Sequence, residues 1–321
     1  MKLFIQKLMY VGLMLFIIAL ISFLAIHAAP NSFFAGGELN PNITEESIAH
    51  MKEIYGLDKP LYVQFFSWIA ALFHFDFGIS FASGKDVKEE ILSRLPITLI
   101  INVISMVLVF IISLYLGIKS GLRQDSAYDN GMKQFSLFSY ALPSFYLALL
   151  LIIIFSVNLG WFPIAGLESI EPKEGIWKFF DKAWHLVLPI FVIVFGGVGS
   201  LMMYVRSLTV EILKSDYIFF AKSRGLSDKK IFWKYIIPNL APPIVTMLGL
   251  SLPGLIGGSV ILESIFSIDG MGLLFYQSAL SRDYPVIMGI LIISAFLTLV
   301  GNIVADLILL RLNPHFKRAQ A

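Results

Sequence analysis

Apolar residues in this chain gather in long runs rather than in the one-faced stripes of a water-facing fold. Six runs stand out: Leu8 to Ala29, Thr98 to Ile118, Phe135 to Val157, Trp184 to Val205, Leu240 to Leu262 and Pro285 to Leu310. A hydrocarbon core of about 30 Å is crossed by about 20 helical residues, so each run predicts a transmembrane helix. Only the last run carries an acid, Asp306, near its end. A seventh stretch, Leu61 to Phe75, is short for a span and contains Gln64, which predicts an interfacial or re-entrant helix. The first run follows Lys2 and Lys7 and closes on Ala28 and Ala29, as a secretory signal would. Its apolar region exceeds the ~7–15 residues of such a signal, which favours a retained anchor.

Composition agrees with this pattern. The 321 residues are 57% hydrophobic and 14% charged, whereas a soluble domain carries roughly 25% charged residues. The expected fold class is therefore an all-α integral membrane protein with six transmembrane helices and an outer interfacial helical segment. With no cysteine, a disulfide, a thiolate metal site and a cysteine nucleophile are all excluded. The net charge of +2 hides a bias: fifteen of the 24 Lys and Arg residues lie on the side of the N-terminus, and seven of these fall between Arg206 and Lys234. By the positive-inside rule both termini are cytoplasmic. The bias bears on orientation rather than on nucleic acid, for which no partner role is expected.

Two loops carry structure signals. In the outer loop, Thr44 can cap a helix with Glu45 and Glu46 in its first turn, Ile48, Met51 and Tyr55 on one face, and Gly56 as its stop. The inner loop from Asp216 to Asn239 reads DYIFFAKSRGLSDKKIFWKYIIPN. It predicts a helix ending near Arg224, Gly225 as its left-handed stop, and a second helix capped by Ser227. Leu226 and Ile231 occupy staple positions, and Asp228 lies at the positive end of the second helix. Lys222 and Arg224 lie at the negative end of the first helix, while Ala221 and Gly225 leave a low surface. Spacing alone fits both an ordinary amphipathic connector and a docking surface.

Ala221, Gly225 and Pro238 match the small-residue, glycine and proline positions of the EAA loop of ABC importer permeases, with Phe219 and Phe220 replacing the acidic residue and first alanine. Six further segments resemble the peptide and nickel branch of that family in order and spacing: Gly56–Ser80, Ser93–Leu99 (SRLPITL), Leu159–Gly166 (LGWFPIAG), Glu263–Gly272 (ESIFSIDGMG), Ser281–Val286 (SRDYPV) and Leu312–Lys317 (LNPHFK). Phe75 replaces a usual glycine, and Asp269 a usual proline. The resemblance implies the type I ABC importer permease fold, with residues 1–97 forming an N-terminal helix plus periplasmic loop. Residues 98–321 would form a five-helix core with the coupling loop at 206–239. It implies a location in the bacterial cytoplasmic (inner) membrane, a homologous second permease, two ATP-binding subunits, and a periplasmic or lipid-anchored substrate-binding protein. Asp216, Ala221, Lys222, Arg224, Gly225, Leu226 and Ser227 would couple to the ATPase. The substrate implied is a di- or oligopeptide, with nickel or a nickel chelate as the alternative.

The remaining chemistry is sparse. Without a G-x-x-x-x-G-K-[ST] loop the chain lacks the cradle that holds ATP, so ATP and Mg are expected on partner subunits and no cofactor in this chain. The five histidines show no metal-ligand spacing and no hydrolase motif occurs, so no metal site and no catalytic residue is expected. Pro242, Pro243, Pro253, Gly257 and Gly258 interrupt the fifth run, which assigns Pro253, Gly257, Gly258 and Glu263 to the translocation path or the permease interface. Asn302, Asp306 and Arg311 are read as a structural group near the inner boundary. An ion-coupled secondary transporter would need inverted repeats and midplane charges, and an intramembrane enzyme a paired nucleophile and base. The sequence displays neither.

Overall fold

The computed structural model describes residues 2–28, 59–171, 173–255 and 260–312, which are helical with an isolated bridge, Ile79 to Asp86, as their only β pairing. In chain order the helices are α1 (Lys2–Ala28), α2 (Leu61–Phe73), α3 (Val87–Leu122), α4 (Ala127–Ala141), α5 (Ser144–Leu151), α6 (Ile176–Leu213), α7 (Asp216–Ser223), α8 (Asp228–Ile231), α9 (Ile237–Ser251), α10 (Val260–Ile265), α11 (Met271–Ser281) and α12 (Tyr284–Leu312). The predicted helix after Thr44 lies outside the described residues, as do Gly257 and Gly258.

Helices α3 and α6 have 36 and 38 residues, far more than a ~30 Å core requires. The apolar run starting at Trp184 therefore predicted only the middle of α6, which begins two turns earlier at Ile176. The third run is not one straight helix: α4 and the pair formed by α5 and the π-helix Ile152–Asn158 meet at 95°. Pro143 is the reason. It pushes Leu142 into extended backbone (φ −81°, ψ 118°) and offers no N–H to continue the ladder. The fifth run is also interrupted, with α9 passing into a 3₁₀ turn, Leu252–Leu255, that contains Pro253. There the Asn102 amide donates to the Leu255 carbonyl at 2.8 Å, satisfying a group that the broken helix leaves open.

The chain divides into two compact units. Unit one comprises Met1–Thr98, Ile256–Ser264 and Asp269–Val300. One of its cores joins Ala19 and Phe23 of α1, Phe65 of α2, and Tyr284 and Met288 of α12; another joins Val87 and Ile91, Met271 and Leu274, and Val286 and Ile290. The stretch from Leu61 thus forms the expected short helix, anchored by one fully inserted phenylalanine.

Unit two comprises Leu99–Leu255, Ile265–Ile268 and Gly301–Ala321. In it α3 and α6 pack closely along Gly117 and Gly121, a small-x-x-x-small pair. A Cβ on Gly117 would lie 2.6 Å from the Met202 carbonyl oxygen, and one on Gly121 2.6 Å from Thr209 Cβ. Helix α4 joins them through Ser136, which donates to the Gly199 carbonyl at 2.7 Å, and through Ser139, which donates to that of Phe195.

Candidate functional site

The loop from Asp216 to Asn239 folds as a rigid elbow. Helix α7 ends in a Schellman motif: the Gly225 N–H donates to the Lys222 carbonyl at 2.9 Å and the Leu226 N–H to that of Ala221 at 3.2 Å. Gly225 adopts φ +72° with open space where a Cβ would stand, so the glycine is required by backbone conformation and not by crowding. Leu226 packs back on the core that holds Ala221, which completes the motif. Ser227 has the backbone of an N-cap and its carbonyl accepts from Lys230 and Ile231, but its hydroxyl makes no capping bond. The expected side-chain cap is therefore replaced by backbone geometry and by the Leu226–Ile231 staple, both residues of which belong to one hydrophobic core.

That core contains Ile212, Ile218, Ala221, Ile231, Ile236 and Leu240, so both limbs of the elbow are sewn to the end of α6. What remains outside is aromatic and basic. Phe219 and Phe220 are 68% and 63% exposed, and Asp216, Lys222, Arg224 and Ser227 are also exposed. Tyr217 stacks on Tyr235 at 6.4 Å, bracing one limb against the other.

A buried ion pair roots the elbow in the bundle. Asp129, fully buried near the start of α4, accepts from Arg206 Nε on one oxygen and from Arg206 Nη2 at 2.6 Å on the other. Ser120 of α3, the Asp125 N–H (2.9 Å) and Lys133 (3.1 Å) complete its shell. Three helices thus meet on one carboxylate, and bidentate guanidinium geometry sets the azimuth of α6 just before the elbow. Sequence reasoning missed Asp129, which lies between the second and third apolar runs. The signal was Ser126-x-x-Asp129, a helix-start signature whose Ser126 hydroxyl does accept from the Asp129 N–H at 3.2 Å.

Unit one buries further carboxylates, Glu263 and Asp283 the most completely among the described residues. Glu263, 4% exposed, accepts from the Gly272 N–H (2.7 Å) and the Leu273 N–H (3.1 Å) at the open start of α11. Thr98 bridges the two, accepting from the Met271 N–H at 2.9 Å and donating to Glu263 at 3.1 Å. A Cβ on Gly270 would stand 2.5 Å from the Glu263 carboxylate, and one on Gly272 2.9 Å, so both glycines of ESIFSIDGMG make room for that acid. Asp283 similarly gathers the Ser80 hydroxyl (2.5 Å) and the N–H groups of Phe81 and Ala82.

Of the other predicted residues, Pro253 lies in the 3₁₀ turn, Asn302 is exposed on α12, and Asp306 and Arg311 lie on the backbone of α12, their side chains outside the described residues. In the loop of unit two that precedes α6, Glu168 accepts from Lys182 at 2.9 Å; that bond, with Lys178 beside it, holds its carboxyl below the usual range. Among the described residues no group of three His, Asp or Glu residues is placed to hold a metal ion.

Residues 113–318 match the family described as binding-protein-dependent transport system inner membrane component, and residues 1–102 match its N-terminal model. The chain belongs to this family. It is similar to the oligopeptide transport system permease protein AppB of Bacillus subtilis, 38% identical over 301 residues and 94% of each chain. It is also 30% identical to OppB of Haemophilus influenzae, over 94% of this chain and 95% of that one. The figure is likewise 30% for the dipeptide permease DppB of Lactococcus lactis, over 98% and 99%. The solved structure of the inward-facing methionine ABC transporter MetNI contains a chain that shares the fold. It has a TM-score of 0.52 and 16% identity, and the match covers 70% of this chain and 96% of that one. This inner membrane component is thus an all-α, multi-pass protein of the type I importer fold and a transport subunit.

Proposed function

We propose that the chain is a permease subunit of an ATP-driven importer of di- or oligopeptides. The reading is carried by full-length similarity to relatives named as oligopeptide and dipeptide permeases. In it, the chain pairs with a homologous permease, two cytoplasmic ATPases bind ATP and Mg, and an external binding protein delivers the peptide. Both termini and the elbow are cytoplasmic, in keeping with the Lys and Arg bias.

The elbow docks on the ATPase through the exposed aromatic and basic surface of α7, from Asp216 to Ser227. Its rigidity supports this role, because a Schellman stop, a shared core and the Asp129–Arg206 pair turn a push on α7 into a movement of α6 and α9 together. Pro253, Gly257 and Gly258 belong to the path or to the permease interface, which Glu263 serves by holding α11. Asn302, Asp306 and Arg311 act structurally near the inner boundary.

Reconstitution with the second permease, the ATPases and the binding protein tests the function. ATP-dependent uptake of a labelled tripeptide is expected, and uptake of nickel without peptide uptake would overturn the substrate assignment. A cysteine at Phe219 should cross-link to the ATPase; labelling of the same cysteine from outside the cell would overturn the orientation.

A further inference from the structure

The second limb of the elbow carries a face that docking through α7 does not use. From Asp228 to Ser251 the chain is continuously helical, through α8, the π-helix Phe232–Ile236 and α9. One stripe of this limb is buried, at Ile231, Ile236 and Leu240, with Phe232 and Tyr235 half-buried beside it. The opposite stripe is Lys229, Lys230, Trp233 and Lys234, all exposed, with Trp233 at 63%. With Ser227 these residues line an open depression of about 430 Å³.

Like charges one turn apart, as in Lys230 and Lys234, weaken a helix unless an anion lies between them. Among the described residues no carboxylate forms an ion pair with any of the three lysines. Depth along the helix points to the anion. Leu240 opens the apolar run, and Trp233 and Lys234 precede it by six or seven residues, about 10 Å at 1.5 Å per residue. That places them at the level of the headgroups, where tryptophan and lysine stems are favoured.

We propose that Lys229, Lys230, Trp233 and Lys234 bind the phosphodiester headgroup of an anionic phospholipid in the adjacent leaflet. The lysines neutralise the phosphate, and Trp233 lies against the glycerol with its ring toward the acyl boundary. Continuity with the membrane run and the exposed indole favour a lipid over the acidic surface of a protein. The site fastens the second limb to the membrane while α7 stays free to dock. It rests on the membrane reading alone, so it stands or falls separately from ATPase docking.

The test uses the full chain in lipid nanodiscs, before its partner subunits are added, with Trp68, Trp161, Trp177 and Trp184 replaced by Phe so that Trp233 reports alone. Brominated phosphatidylglycerol should quench Trp233 about fivefold more effectively than brominated phosphatidylcholine at equal mole fraction, the factor that one lysine's attraction to an anionic leaflet supplies. The preference should vanish in Lys229→Gln/Lys230→Gln/Lys234→Gln. Equal quenching by the two lipids, or an unchanged preference in the triple variant, would overturn the site. Shielding of Trp233 only when the ATPase subunits are added would assign the face to a protein and overturn it too. Native mass spectrometry of the complex with all its tryptophans supplies an independent readout: it should retain one more phosphatidylglycerol than the triple variant, and inorganic phosphate should not displace it. Equal retention, or displacement by phosphate, would count against a lipid site.

Discussion

Both compact units bury carboxylates, and the contrast lies between Asp129 of unit two and the acids of unit one. Asp181 of unit two is hydrogen-bonded, as they are, by a hydroxyl and a backbone N–H, both from Ser169. In unit two, Asp129 is matched by charge: a bidentate guanidinium from Arg206 and the ammonium of Lys133. In unit one, Glu263 and Asp283 are met, among the described residues, only by hydroxyl and backbone N–H donors. The difference follows from what is being joined. Asp129 connects three helices whose backbone groups are already used in their own ladders, so apart from the Asp125 N–H in the turn before α4 its donors are side chains. Glu263 and Asp283 tie down a helix start and a loop, where free N–H groups are available. A charged pair is exposed to loss of either partner, because the survivor is left buried and uncompensated, while a neutral lock loses only hydrogen bonds.

The widest gap should come from Asp129→Ala. Stranding Arg206 should cost about 3–5 kcal/mol of stability, read from denaturant unfolding of the purified protein in detergent. Asp129→Leu combined with Arg206→Met should recover most of that. A single variant as stable as the parent would erase the distinction between the two kinds of lock.

Glu263→Ala should come next, at about 1–3 kcal/mol for the donors it leaves unmatched, with Glu263→Gln milder because the amide oxygen still accepts. If Glu263→Ala costs as much as Asp129→Ala, charge is not what separates them.

Gly225→Val adds a third scale, since no buried group is involved and only the positive φ resists it. A loss of about 1–2 kcal/mol is expected, smaller for Gly225→Asn, with membrane abundance unchanged and uptake uncoupled from ATP hydrolysis. Normal uptake in Gly225→Val would reduce the elbow to a connector.

The smallest effect belongs to the exposed pair Glu168–Lys182. Lys182→Gln should leave the unfolding midpoint in place at physiological salt, where such pairs are screened. Because the folded pKa of Glu168 is lowered, its contribution is present above the unfolded value and fades as pH falls through the folded one. A clear salt-sensitive shift at neutral pH would show that surface charge matters here as well.

Legibility along the chain tracked the range of the interaction. The elbow was readable because a Schellman stop is set within six residues, from Ala221 to Leu226. The close approach at Gly117 and Gly121 went unread, since two glycines four apart suggest packing only once their neighbours on α6 are known. The Pro143 break was present as a residue, but a run of apolar neighbours hid the 95° turn.

The sequence by itself determined the solvent, the helices and the local stops. Matching a side chain to lipid or water, and ending a helix on glycine, are decided within a turn or two of chain. Only tertiary structure decided which acids are buried and what each of them holds. Asp129 meets Arg206 across 77 residues and Thr98 meets Glu263 across 165, and no local pattern encodes a partner that distant. Desolvation makes those pairings matter: an acid is a surface charge until packing removes its water, and from then on its stability depends on the donors that the fold brings to it.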